Sequence, residues 1–208
     1  FYLSSAVAND VSQIDANVTL TGESGVDECW VLDSSATDSG GFTVNGTLIQ
    51  RPGMSDLNCY GMDNLYLHGG GGASKTHLVV DTAPGYAVYL YDGASNDMIE
   101  VRQTSGAPVY LLQTSLSDNL QMGTSSTQAT VFLPANATYL GDANINNGVL
   151  HIGSPGDPLG NGQKVLVLKD WVIYQPSRID VGPHSLVLEY DTGSYPGGLV
   201  GGVTYGYG

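Results

Sequence analysis

Val88-Tyr89-Leu90-Tyr91-Asp92-Gly93-Ala94-Ser95-Asn96-Asp97-Met98-Ile99-Glu100-Val101 reads as a strand, a turn and a second strand. The outer runs are short and rich in aliphatic and aromatic residues, while the middle is a cluster of Asp, Gly, Ser and Asn that favours turn conformations. Working outward, similar runs stand between turn residues at Val18 to Leu20, Cys29 to Leu32, Phe42 to Ile49, Leu65 to Leu67 and Leu78 to Val80. They continue at Val109 to Leu112, Leu120 to Met122, Thr130 to Leu133, Val149 to Ile152, Val165 to Tyr174 and Leu186 to Tyr190. No stretch sustains helical spacing of apolar residues over about 11 positions, so the chain is expected to be all-β.

Two architectures need a short strand and then a turn: a sandwich or jelly roll built of hairpins, and a solenoid of coiled strands. A repeat tilts the choice toward the solenoid. Cys29-Trp30-Val31-Leu32-Asp33 and Cys59-Tyr60-Gly61-Met62-Asp63 share Cys, aromatic, any residue, aliphatic, Asp, and Val88-Tyr89-Leu90-Tyr91-Asp92 follows. Asn119-Leu120-Gln121-Met122-Gly123 and Gly148-Val149-Leu150-His151-Ile152-Gly153 extend the series, which gives an apparent repeat of about three strand intervals. In a parallel β-helix, residues one repeat apart stack at about 4.8 Å, which would bring Cys29 and Cys59 near bonding distance. A disulfide between them is expected, with buried free thiols as the alternative, and it would imply an oxidising compartment.

The segment Tyr86 to Val101, continuing through Ser105-Gly106-Ala107-Pro108-Val109-Tyr110-Leu111, resembles rungs of the right-handed parallel β-helix superfamily of pectate-lyase-like proteins, phage tailspikes and surface adhesins. The resemblance implies an elongated extracellular protein, often trimeric or filamentous, that displays or recognises carbohydrate.

Charge narrows the partners. The 208 residues carry 20 acidic against 6 basic side chains, a formal net charge of −14, so no basic groove exists for a nucleic-acid backbone. No apolar run approaches the ~20 residues of a membrane-spanning helix. Phe1 to Ala8 holds an Ala-x-Ala step but no basic region or apolar core, and is expected to be an ordinary mature start. Sequons at Asn17, Asn45 and Asn136 are compatible with glycosylation in an extracellular setting.

Chemistry is sparse. Asp191-Thr192-Gly193-Ser194 resembles an aspartic-protease loop, and Asp38-Ser39-Gly40 could be its partner, yet little chain follows Asp191 to support it. Only Glu23, Glu28, Glu100 and Glu189 are available as Glu for a hydrolase pair, and the 16 Asp are scattered mostly in turn contexts where a solvated carboxylate caps backbone N–H groups. Arg102, Lys164, Lys169 and Arg178 are the bases open to a lyase, and no spacing selects one. His68, His77, His151 and His184 form no metal motif. The Gly run 69–72 reads as a flexible loop that could cradle an anion. Asp142, Asn144 and Asn146 offer oxygen at alternate positions, as a Ca²⁺ loop might, without the remaining acidic ligands. No cofactor is expected.

Three segments follow: an N-terminal extension over 1–13, a β-rich domain over 14–192 and a Gly/Tyr-rich segment over 193–208. Phe1, Tyr2, Tyr195, Tyr205 and Tyr207 are the candidates for contacts between copies. The function expected is a non-enzymatic extracellular structural or adhesive subunit that self-assembles, at a cell or virion surface. A carbohydrate-binding or carbohydrate-cleaving module is the alternative, with the 13 Tyr as stacking faces and glycans as partners.

Overall fold

Apolar residues at every second position turn one face of a segment inward, and two such sheets must cover each other. The computed structural model describes residues 1–4, 11–12, 14–35, 41–70, 77–91, 96–104, 106–155 and 162–188, and all 18 regular elements among them are strands. Numbered in chain order, they form two sheets. The eight-stranded first sheet runs β1 (Tyr2–Leu3), β3 (Glu28–Leu32), β7 (Asn64–His68), β9 (Ala87–Tyr91), β11 (Val109–Gln113), β13 (Ala129–Leu133), β15 (Gly148–Ile152) and β17 (Arg178–Asp180). The ten-stranded second sheet runs β18 (Ser185–Leu188), β16 (Val165–Ile173), β14 (Ala137–Ile145), β12 (Asn119–Met122), β10 (Met98–Val101) and β8 (His77–Thr82), and then β4 (Thr43–Asn45), β5 (Leu48–Gln50), β6 (Leu57–Tyr60) and β2 (Val18–Thr21). From β7 to β18 successive strands alternate between the sheets. Neither sheet closes: β1 and β17, β18 and β2 are edges.

Neighbouring strands are parallel except β4–β5 and β5–β6. That exception corrects the single run read over Phe42 to Ile49. Gly46 sits at φ 59° in the turn, a backbone state that glycine enters without steric cost, and the run folds back there as a hairpin. Strands β1, β14 and β17 fall outside the runs legible in the sequence, and β6 enters there only through Cys59-Tyr60 of the repeat. In β14 the alternation is broken by Gly141, whose N–H donates to the Asp118 carbonyl at 2.7 Å.

The register corrects the repeat. Leu78 pairs with Ile99 and Ile99 with Leu120, an offset of 21 residues each, which is one strand in each sheet plus two turns. The expected three-strand interval is therefore two strands. Cys29 stacks with Leu65, and Cys59 pairs with Leu20 in the other sheet, so the cysteines are not stacked neighbours.

The core lies between the sheets. Leu65, Val88, Val109, Val131 and Leu150 form one inward column of the first sheet, facing Leu78, Ile99, Leu120 and Ala143 of the second; Val149 is the outward exception nearby. Each column residue is at most 1% exposed, and burial of each such aliphatic side chain stabilises by roughly 1.5–3 kcal/mol. Val11, also in the core, donates its N–H to Asp33 Oδ1 at 3.1 Å. A Cβ at Gly123, where φ is +67°, would collide with the Asn147 carbonyl, so that turn admits only glycine.

Candidate functional site

In-register parallel strands put like positions side by side, so an outward ring in the middle of each strand builds a column. On the outer face of the first sheet Tyr2, Trp30, Tyr66, Tyr89, Tyr110, Phe132 and His151 occupy one register position across β1 to β15. Ring centroids are 5.7 Å apart for Tyr2–Trp30, 3.9 Å for Trp30–Tyr66, 4.6 Å for Tyr66–Tyr89 and 4.7 Å for Tyr89–Tyr110. Interplanar angles over those four pairs stay within 8–16°. Tyr110–Phe132 opens to 5.6 Å and tilts by 38°, and Phe132–His151 closes again at 4.8 Å and 11°. Beside the column, His68 stacks on Tyr91 at 4.0 Å.

Because the rings lie face to face, their faces cover one another and chiefly their edges meet solvent. Glu28 binds two members: Oε2 accepts the Trp30 indole N–H at 3.1 Å, and Oε1 accepts the Tyr66 hydroxyl at 3.3 Å. Burial, followed by the Glu28 charge, pushes the Tyr66 phenol up to about 12. Burial first also raises Tyr89, Tyr91 and Tyr110. At the far end His151 Nδ1 lies 3.1 Å from Asp180 Oδ2, beside a concavity of about 380 Å³ that Phe132, Pro155, Pro183 and His184 also line.

The other histidines are spread over the molecule. His77 Nε2 meets Glu100 at 3.0 Å on the second sheet, and His184 Nδ1 accepts the Lys164 N–H at 3.3 Å. His68 Nε2 is buried with no hydrogen-bond partner, and burial lowers the imidazole's proton affinity. Among the bases, Arg102 is held by Glu100 and Asp81 at 2.7 and 3.1 Å, Lys164 is buried, and Lys169 and Arg178 are exposed on different sheets. Asp142 and Asn144 lie on the outer face of β14, and Asn146 follows its end. An extended strand spaces alternate residues by about 6.6 Å along a line, whereas a Ca²⁺ loop must wrap its ligands around one point. Among the described residues no three His, Cys, Asp or Glu come together as metal ligands do.

The turn carboxylates do cap backbone N–H groups, but three acidic side chains are buried and not solvated. Asp118 Oδ1 accepts the N–H groups of Asn96 and Asp97 at 2.8 and 3.0 Å, and its Oδ2 accepts that of Ser115. Asp97 and Asp118 are both fully buried, as is Asp33, which pairs with Arg51 at 2.6 Å. Asn17, Asn45 and Asn136 are exposed.

The cysteines face each other across the core as free thiols, Sγ to Sγ 3.3 Å, in place of the disulfide expected from the sequence. Phe1 and Tyr2 are 52% and 73% exposed at the β1 edge. Tyr195, Tyr205 and Tyr207, the protease-like loop at 191–194, Asp38-Ser39-Gly40 and the second half of the Gly run lie outside the described residues.

Sequence reasoning missed the aromatic column. Its signal was present at Trp30, Tyr66, Tyr89, Tyr110 and Phe132, but a longer repeat matched Trp30 to Tyr60 and hid it. The chain matches no protein-family model, no curated protein and no solved structure.

Proposed function

We propose that the protein is a non-enzymatic structural and adhesive subunit of an extracellular assembly, in which strands alternating between two walls form the body of a parallel β-helix. The observation that carries this reading is the distribution of exposed apolar side chains. Phe1, Tyr2, Val26 and Tyr60 lie in or near the edge strands β1 and β2 and β6 beside the latter, and Tyr139, Val172, Ile173, Tyr174 and Val187 lie in or beside β14, β16 and the edge strand β18. Between these two groups stands one other large exposed apolar residue, Leu116, among those described. Two different sticky surfaces at opposite edges make a heterologous contact, which propagates as a filament when rotation does not close it.

Further support comes from the sequons, all three exposed, and from thiols placed so that an oxidant could join the sheets. The ring faces of the column are occupied by one another, which weighs against its use as a sugar-stacking platform.

Negative-stain microscopy with sedimentation of the wild type and of a Tyr2→Ser, Val187→Lys double variant tests the reading. Filaments from the wild type that shorten or vanish in the variant are expected. A wild type that stays monomeric at every concentration would overturn it.

A further inference from the structure

We propose that the aromatic column is a relay for one-electron oxidation, carrying an oxidising equivalent across the first sheet to the Trp30–Tyr66 pair, where Glu28 takes the proton. This activity is independent of self-assembly. Tyr2, Trp30, Tyr66, Tyr89 and Tyr110 are all oxidisable rings, and their successive centroids lie between 3.9 and 5.7 Å with nearly parallel planes, so each ring is within a short electron-transfer step of the next. The run ends where the geometry does: the next ring is Phe132, tilted by 38° and with neither a hydroxyl nor an indole N–H to lose.

The resting place follows from the proton. An indole or phenol that loses one electron becomes a far stronger acid, and the radical persists where a base already holds the hydrogen bond. Glu28 is that base for both members of the closest pair in the column. In the step, a one-electron outer-sphere oxidant gains the electron. The O–H bond of Tyr66 or the N–H bond of Trp30 breaks, the proton forms the Glu28 carboxylic acid, and a neutral radical remains. A one-electron donor of the ascorbate class reverses the step, and the proton returns from Glu28 to the ring. The raised proton affinity of Tyr66 keeps the resting phenol neutral, so its proton leaves for Glu28 only when the ring is oxidised.

The test enters the column at its other end. Gln113, exposed and on the same strand as Tyr110, is changed to Cys and labelled with a ruthenium tris-bipyridyl photo-oxidant; Cys29 and Cys59 are 0% exposed and escape the label. A flash with hexaammineruthenium(III) as electron acceptor is followed by transient absorption of the indole radical. The radical is expected in the labelled protein and absent in its Trp30→Phe variant, which assigns it to Trp30 and not Trp171. Tyr89→Phe keeps a ring in the stack but removes a stop, which forces a jump of two strand spacings, roughly 9.6 Å, and is expected to lower the yield by an order of magnitude. Slower radical formation in D2O is expected in the wild type and is expected to disappear in Glu28→Gln. Thermal melts of each variant check that the fold is kept. No indole radical, or an equal yield with Tyr89→Phe, would overturn the relay; an unchanged isotope effect in Glu28→Gln would overturn the role of Glu28.

Discussion

Cys29 and Cys59 meet in the core from opposite sheets, Sγ to Sγ 3.3 Å, although β3 and β6 share no ladder hydrogen bond. The shared contact, and then burial, raise the Cys29 thiol, while the same contact lowers Cys59, so it is the complete burial of both sulfurs that makes the reduced pair resist alkylation in the folded state. Oxidation would close a loop spanning 30 residues of sequence, which stabilises by roughly 3–4 kcal/mol in the chain-entropy model. Urea melts of oxidised and reduced protein are expected to differ by that amount, and Cys29→Ala to abolish the difference. Coincident melts with the bond present by non-reducing mass spectrometry would refute the expectation.

Arg51 and Asp33 form a wholly buried pair, and Asp33 also holds the Val11 N–H. Removing one partner leaves a charge in the core. Arg51→Met is expected to cost about 3–5 kcal/mol, and adding Asp33→Leu to recover part of it, because two apolar side chains leave no buried charge unmatched. Denaturant titration of the two single variants and the double variant gives the coupling.

The all-β class was legible because alternation needs only local sequence: Met98 to Val101 reads as a strand and is one. The length of the repeat was not. Cys29, Trp30 and Asp33 recur as Cys59, Tyr60 and Asp63, but β6 carries Cys59 and Tyr60 in the other sheet, after the β4–β5 hairpin has lengthened the path between β3 and β7. Pairing across a sheet is a long-range choice, set by which side chains fill the core, and a local match cannot fix it. The aromatic column was lost with the register. The Arg51–Asp33 pair was hidden for a different reason, since no spacing announces that two charges will be buried together.

Alkaline pH tests the surroundings of Tyr66. Its folded value of about 12 exceeds the unfolded 10, so folding favours the neutral phenol. The contribution is fully present below pH 10 and is lost as pH climbs through about 12. Spectrophotometric titration is expected to show a late phenolate phase that shrinks in Tyr66→Phe. On the acid side the sign reverses for His68, whose lowered value makes its contribution present above 6.5 and lost as pH falls. A His68→Gln variant should lack that acid loss in pH-dependent melts.

A net charge of −14 repels itself, and salt screens it over a Debye length of about 8 Å at physiological strength. Melting temperature is expected to rise with NaCl, and the same screening should promote contact between copies. A flat melting curve series together with salt-independent sedimentation would show that the acidic side chains are too dispersed to matter.

Tyr89 and Tyr60 separate the observed register from the one the sequence suggested. Tyr89 is stacked on both sides, at 4.6 and 4.7 Å, whereas Tyr60 is 46% exposed and belongs to the other sheet. Each aromatic pair contributes about 0.5–1.5 kcal/mol beyond its buried area, so Tyr89→Leu is expected to cost about 1–3 kcal/mol and Tyr89→Phe little, since the ring is kept. Tyr60→Leu is expected to fall within about 0.5 kcal/mol of wild type, as exposed substitutions do. Urea denaturation of the three variants decides the matter. If Tyr60→Leu proved the costlier change, Tyr60 and not Tyr66 would be the ring beside Trp30, and the column would have to be redrawn with the longer repeat.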